Sequence, residues 1–228
     1  MKAVILAAGK GRRMEHLTLD RPKPLIKIKG KTLLEYKLDS IKDFVDEVII
    51  IIGYKGEMIK KYIGNNYKGM KIKYIQQKEQ LGTGHAVKLA RKFIDSRFLV
   101  ILGDDLYAKE DIEECLKCNM SILVSKVNDP SKYGVVLTES DNVKNIIEKP
   151  KEFISDLVST GVYVLHKDIF KEKVEKSYRG EYEIVDMIAN LAKKGREIKC
   201  VTIKKYWIVL SCPEDVIKAE EFLNTKSL

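Results

Sequence analysis

Leu6-Ala7-Ala8-Gly9-Lys10-Gly11-Arg12-Arg13-Met14, continued by Arg21-Pro22-Lys23-Pro24-Leu25, is the stretch whose reading decides the fold. It overlaps the end of the apolar run Ala3-Val4-Ile5-Leu6, which reads as a first strand. Small residues after a strand let the backbone approach a ligand, and the free N–H groups of such a turn suit a polyphosphate. Arg13 can fork onto phosphate oxygens, and Lys23 can add a point charge. A dinucleotide-binding turn needs G-x-G-x-x-G running straight into a helix. Here Gly9-x-Gly11 is followed by Met14 and by a loop reaching Pro22 and Pro24, and neither proline suits an uninterrupted helix. No G-x-x-x-x-G-K-[ST] run occurs either. Alone, the glycine pair reads equally well as a strand-to-loop turn with surface Lys and Arg. The continuation from Arg13 to Lys23 favours a site for a nucleoside triphosphate.

Outward from this stretch, strand and helix patterns alternate. Strands are expected at 2–7, 46–52, 71–76 and 98–102, and helices at 32–42, 55–63, 83–94 and 109–118. The strands are apolar on both faces, as in a parallel sheet covered by helices, so the class is α/β. After residue 119 the pattern turns to strands at 120–127, 134–138, 143–148 and 158–166, with a hairpin turn at Asp141-Asn142. Helices resume at 168–176 and 183–194. A strand at 197–203 and a helix at 213–224 follow, the latter opened by Ser211 and Pro213. One domain over 1–228 is expected, with a nucleotide-binding half at 1–118 and a second half at 119–228.

The 228 residues carry a formal charge of +9, almost all of the excess being lysine. The basic residues are dispersed, without a long run or interleaved aromatics, so a lysine-rich surface is the reading and nucleic acid is not an expected partner. No apolar run approaches ~18 residues, so no membrane span is expected. No signal-peptide pattern precedes the first strand, which makes a cytoplasmic location the default. Cys115 and Cys118 form a C-x-x-C without a second pair or nearby histidine, so free thiols are expected rather than a zinc site.

The opening stretch resembles the G-x-G-x-R … P-K-P signature of the sugar-1-phosphate nucleotidylyltransferases, which include glucose-1-phosphate thymidylyltransferases and N-acetylglucosamine-1-phosphate uridylyltransferases. Further matches follow in the family's order: Gln77-Lys78-Glu79-Gln80-Leu81-Gly82-Thr83-Gly84, Leu102-Gly103-Asp104-Asp105, Tyr133-Gly134-Val135-Val136, Glu148-Lys149-Pro150, Gly180-Glu181-Tyr182-Glu183 and the segment Trp207 to Ala219. The resemblance implies a Rossmann-like, GT-A-type fold, the nucleotide-diphospho-sugar transferase fold, with a mixed, mostly parallel sheet. It implies transfer of a nucleotidyl group from UTP or dTTP to a sugar 1-phosphate with release of pyrophosphate. A CTP-dependent enzyme acting on a phosphorylated alcohol shares the N-terminal signature and is the variant kept beside it.

By resemblance, Leu6, Ala8, Gly9, Gly11, Gln77, Gln80, Gly82 and Thr83 line the nucleotide site, with Gln77 and Gly82 reading the base. Arg13 contacts the triphosphate and Lys23 the α-phosphate region; Arg12 is left open between phosphate contact and solvent. Asp104, at the carboxyl end of a central strand, is assigned to Mg²⁺, with Asp105 as a substitute or an outer partner. Gly134, Glu148, Lys149, Ser159 and Thr160 are assigned to the sugar-phosphate side. The chain ends before the β-helix that many uridylyltransferases carry, so acetyltransferase activity is not expected. Family members often assemble, so a homo-oligomer is an expectation of the resemblance.

Two departures stand out. The closing motif usually reads Trp-x-Asp-x-Gly, its Asp being a second metal ligand, whereas this chain has Trp207-Ile208-Val209-Leu210-Ser211. Ser159 stands where an Asn usually precedes Thr-Gly. A catalytically weak homologue that binds nucleotide or sugar nucleotide is therefore the third reading.

Overall fold

A computed structural model describes residues 1–225. β1 (Lys2–Ala7) runs through the middle of its main sheet and is buried from Ala3 onward. The chain continues through β2 (Lys27–Ile28), β3 (Lys31–Thr32), α1 (Leu33–Ile41), β4 (Glu47–Ile52), α2 (Gly56–Ile63), β5 (Asn66–Tyr67) and β6 (Met70–Gln76). There follow α3 (Thr83–Leu89), β7 (Arg97–Leu102), β8 (Leu106–Tyr107), α4 (Lys109–Leu116), β9 (Ser121–Lys126), β10 (Gly134–Glu139) and β11 (Asn142–Glu148). β12 (Leu157–His166), α5 (Ile184–Lys193), β13 (Lys199–Thr202), β14 (Trp207–Ile208) and α6 (Pro213–Thr225) complete it.

The ten-stranded sheet has the order β10-β11-β13-β9-β12-β7-β1-β4-β6-β5. β1 is parallel to both neighbours, with Leu6 opposite Ile51 of β4 and Leu102 of β7. The chain first adds strands on the β4 side and then crosses to the β7 side. The carboxyl ends of β1 and β7 therefore diverge, and a crevice opens between the loops that leave them. Beyond β7 the pairing is mixed: β12 joins both β7 and β9 antiparallel, while β13 runs parallel to β9.

Alternation along the central strands fills two cores. Val4, Leu6, Ile49, Ile51 and Val100 meet α3 and α5 on one face, while Ala3, Ile5, Ile50 and Ile52 meet α1, α2 and α4 on the other. The capping box of α1, in which Thr32 and Glu35 satisfy each other's backbone N–H groups, starts that helix where the sequence pattern does. A third cluster of Met14, Ile26, Ile28, Leu33, Leu106, Leu210 and Ala219 fastens the loop after β1 to α6. No helix among the described residues is long and apolar enough to cross a membrane.

Three local expectations are corrected. The helix expected at 168–176 is a 3₁₀ turn over Lys167–Lys171. Beyond it the chain is pulled out across α5, because buried Glu172 pairs with Lys194 and the Lys173 carbonyl accepts from Asn190. The helix expected at 83–94 ends as α-helix at Leu89 and tightens to 3₁₀ over Ala90–Phe93. The hairpin between β10 and β11 turns on Ser140 and Asp141, both at positive φ, one residue earlier than the sequence suggested.

A buried carboxylate holds the start of the segment that closes the molecule. Asp111 of α4 accepts from the backbone N–H groups of Lys204, Lys205 and Tyr206 at 2.8–3.3 Å. Losing it strands three donors at once. Asp111→Ala is expected to lower stability by about 2–4 kcal/mol, read as a shift of the urea midpoint, with Asp111→Asn losing less. An unshifted midpoint for Asp111→Ala would contradict this role.

Candidate active site

At the carboxyl ends of β1 and β7 lies a cleft of about 410 Å³. Leu6, Ala8, Gly9, Gly11, Arg13, Lys23, Gln77, Gln80, Gly82, Thr83 and Asp104 all line it, and so do Lys10, Arg12, Glu181 and Ser211. The sheet brings most of these residues together because three separate loops leave the same edge, after β1, after β6 and after β7; Glu181 comes from the segment before α5 and Ser211 from the segment after β14. Gly103 is required where it stands, since a side chain there would strike the Leu6 carbonyl of the neighbouring strand. Gly9 differs, because a Cβ on it would meet nothing within 4 Å; its space belongs to the open cleft.

The cations differ in how they are held. Arg12 and Arg13 are exposed and make no ion pair among the described residues, so both guanidinium groups are free to fork onto an anion. Lys23 is buried, in a 3₁₀ turn over Lys23–Leu25 rather than the extended segment its flanking prolines suggest. Its ammonium donates to the Leu210 carbonyl and lies 3.5 Å from the Asp104 carboxylate. Asp104 is half-exposed toward the cleft, whereas Asp105 turns inward. Asp105 accepts from the Trp207 indole at 2.8 Å and from the Leu210 N–H at 3.1 Å. Burial pushes the Asp105 carboxyl up, to about 7, and the Asp104 charge adds to it; Lys23, the Leu210 N–H and the indole pull the other way.

The loop after β6 is organised by its own amides. Gln77 is buried, and its Nε2 donates to the Gly82 carbonyl at 3.2 Å and lies 3.0 Å from His85 Nδ1. Gln80 Nε2 donates to the Ala8 carbonyl at 2.9 Å, tying this loop to the end of β1. Gly82 has φ +102°, and a Cβ on it would sit 2.5 Å from the Tyr182 carbonyl. That glycine is thus required by the close passage of the 181–183 segment. Thr83 completes the junction, its hydroxyl donating to Glu183 at 3.1 Å while accepting from the Ile184 N–H at 3.0 Å.

Gly134, Glu148, Lys149, Ser159 and Thr160 lie on β10 to β12 and beside them, outside the lining of this cleft. Gly134 faces Glu148 across the β10–β11 ladder, and a Cβ there would come within 3.2 Å of its carboxylate. Glu148 pairs with Lys149 at 3.4 Å and with Arg179 at 3.5 Å. Arg179 also reaches Glu183 at 3.1 Å and Glu181 at 3.6 Å, and so links this group to the cleft wall. Burial raises the carboxyl groups of Glu148 and Glu183; Lys149 and then Arg179 oppose it at Glu148. The hydroxyls expected to face a sugar are engaged inside the sheet. Ser159 donates to the Tyr163 hydroxyl at 2.9 Å, and Thr160 donates to the Leu123 carbonyl at 3.0 Å.

Val209 lines a shallow groove with Tyr206, Lys218 and Phe222, and is not among the residues that line the cleft; Ser211 is. No cluster of three His, Cys, Asp or Glu suited to a metal exists among the described residues. Asp104 remains the cleft carboxylate beside Lys23. One carboxylate with open space in front of it fits Mg²⁺, which keeps several waters and shares substrate phosphates. Cys115 is buried in the core, and the other three cysteines are half-buried free thiols. Arg179, His85 and the inward role of Asp105 escaped the sequence reading. Arg179 directly precedes the Gly180-Glu181-Tyr182-Glu183 match and was within reach of it, while the Gln77–His85 contact depends on how a loop folds onto α3.

Comparison with known proteins agrees with this geometry. A protein-family model described as nucleotidyl transferase matches residues 2–226. The chain is 39% identical over 229 residues to the bifunctional protein GlmU of Methanocaldococcus jannaschii, covering 99% of this chain and 55% of that protein. It thus spans about half the length of the GlmU relatives it matches. It is 35% identical to the UTP–glucose-1-phosphate uridylyltransferase AglF of Haloferax volcanii, covering 100% of this chain and 98% of that one. A crystal structure described as a glucose-1-phosphate thymidylyltransferase from Bacillus anthracis, with sucrose bound, superposes with a TM-score of 0.85 at 26% identity, over 97% of this chain and 94% of that one. A UDP-glucose pyrophosphorylase in complex with UDP-glucose shares the fold, with a TM-score of 0.87 at 24% identity, over 99% and 98% of the two chains. With the family model matched over nearly the whole chain and a relative matched end to end, the chain belongs to the nucleotidyl transferase family.

Proposed function

We propose that this chain transfers the nucleotidyl group of UTP or dTTP to a sugar 1-phosphate, forming a nucleoside diphosphate sugar and releasing pyrophosphate. The observation that carries the reading is the cleft: the Gly9–Arg13 turn, Lys23, Gln77, Gly82 and Asp104 line one space at the ends of β1 and β7. The end-to-end relative named for UTP and glucose 1-phosphate supports it.

An oxygen of the sugar 1-phosphate attacks the α-phosphorus. The new P–O bond forms as the bond to the bridging oxygen breaks, and the electron pair leaves with pyrophosphate. The protein's share is alignment and charge neutralisation. Backbone N–H groups of the turn after Gly9, with Arg12 and Arg13, take the outer phosphates. Lys23, fixed by the Leu210 carbonyl and Asp104, meets the α-phosphate. Asp104 would hold Mg²⁺ together with phosphate oxygens, and the ion would neutralise charge on the phosphates where it builds up. Asp105, occupied by Trp207 and Leu210, anchors the closing segment instead.

Base choice follows from the Gln77 amide. Its Nε2 is used by the Gly82 carbonyl and His85, which leaves Oε1 to accept from a ligand. Uracil and thymine offer an N3–H there; cytosine presents an acceptor. On the acceptor side Lys149 meets the sugar phosphate and Glu148 accepts from sugar hydroxyls. The strand bearing Ser159 and Thr160 forms the wall.

The test is pyrophosphate release with Mg²⁺, across nucleoside triphosphates against sugar 1-phosphates and phosphorylated alcohols. Release is expected with UTP or dTTP and a sugar 1-phosphate, and Asp104→Ala is expected to lower kcat about 10²–10³-fold. Release with CTP and a phosphorylated alcohol alone would replace this reading by a cytidylyltransferase. Nucleotide binding without release would make the chain a binding homologue. A second expectation concerns Gly9→Ala, whose added methyl meets only cleft space. It should raise the KM for the triphosphate by about tenfold or more while shifting the melting temperature by less than about 2 °C; an unchanged KM would contradict close passage of the phosphates over Gly9.

A further inference from the structure

Among the described residues that line the cleft, Ser211 alone comes from the segment that closes the molecule. Val209 lines the shallow groove beside α6, Leu210 is buried, and Ser211 lines the cleft. The chain thus crosses from one surface to the other over Leu210. Both sides of that crossing are fixed. Asp105 accepts from the Leu210 N–H at 3.1 Å, and Lys23 donates to the Leu210 carbonyl. Asp215, in the first turn of α6, accepts from the N–H groups of Ser211 at 2.7 Å and of Cys212 at 3.1 Å.

By sequence pattern Ser211 opens α6, but in the structure the Asp215 carboxylate takes that part. The Ser211 hydroxyl makes no hydrogen bond among the described residues. Two residues of the cleft lining carry an aliphatic hydroxyl, Thr83 and Ser211. Thr83 spends its own on Glu183 and on the Ile184 N–H, so Ser211 supplies the one left over. Its place matters as much as its freedom. The peptide that joins Ser211 to the chain begins at the carbonyl that Lys23 holds, and the Lys23 ammonium lies 3.5 Å from Asp104. A hydroxyl one residue from that carbonyl stands beside the position proposed for the α-phosphate. It can donate to a phosphate oxygen without adding a charge that would need its own counter-ion. A hydrogen bond to an anionic oxygen is stronger than one between neutral groups. The backbone on both sides of Ser211 is already held, so little ordering is left to be lost on binding.

We infer that Ser211 is a further binding residue for the triphosphate: its free hydroxyl donates to a non-bridging oxygen of the α-phosphate, beside the Lys23 ammonium. This rests on the nucleotidyl-transfer reading above.

The test compares wild type with Ser211→Ala and Ser211→Gly, which both remove the hydroxyl and differ in bulk. Calorimetry in Mg²⁺ measures the affinities for UTP, UMP and uridine, and a thermal melt follows stability. Both variants should lose about tenfold or more in affinity for UTP and for UMP, and about twofold at most for uridine. The melting temperature of Ser211→Ala should move by less than about 2 °C, since the hydroxyl has no partner in the folded chain. Unchanged UTP affinity would overturn the inference. A loss in one variant only would overturn it too, as the mark of bulk rather than of the hydroxyl. So would a loss for UTP with UMP intact, which puts the contact on the outer phosphates, or an equal loss for uridine. A wild-type chain that binds UTP but releases no pyrophosphate would remove the transfer reading while this comparison still decides the role of Ser211. A wild-type chain that binds no triphosphate would overturn both.

Discussion

The cleft depends on how the carboxyl end of β7 is stitched to the segment that closes the molecule. Asp105 takes the Trp207 indole and the Leu210 N–H, and Lys23 donates to the Leu210 carbonyl from the opposite side. The backbone of one residue, Leu210, is thus gripped at its N–H by a carboxylate from the loop after β7 and at its carbonyl by an ammonium from the loop after β1. Asp111 holds the turn just before it. Without these bonds the loops proposed to bind the phosphates would have no common floor. The cost of burying Asp105 and Lys23 is offset by bonds that fix geometry, which is where a transfer reaction needs rigidity.

A division of labour follows from burial. Residues at the rim, Arg12 and Arg13, are exposed and free to fold onto a charged ligand. Residues at the floor are already committed to one another, and in the proposed reaction they set where the phosphates lie. The side proposed for the base is held in the same manner: Gln77 bonds Gly82 and His85 without a ligand. Such preorganisation spares the reaction the work of ordering its own donors. The side proposed for the acceptor is built differently, from an Arg179-centred set of carboxylates.

Much of this was legible in the sequence, for physical reasons. Buried parallel strands leave unbroken β-branched runs, so β1, β4 and β7 were readable. The short loops between them carry spaced Gly, Arg, Lys and Asp whose residue types have few other uses together. What stayed hidden depends on distant partners. Lys167 to Lys176 has helical composition, yet Glu172 and Lys194 draw its second half straight. Gly82 was read as room for a base, while its Cβ position is filled by the Tyr182 backbone. Thr160 was read as lining a pocket, while its hydroxyl is spent on the neighbouring strand.

The most direct measurement is a crystal structure of the chain with Mg²⁺ and a UTP analogue whose α,β-bridging oxygen is a methylene, which cannot transfer its nucleotidyl group. The triphosphate should lie along the turn from Gly9 to Arg13, with its α-phosphate beside Lys23 and Asp104 and its base against Gln77. A nucleotide seated elsewhere, such as the groove between β11 and α5, or one whose phosphates point away from that turn, would contradict the account.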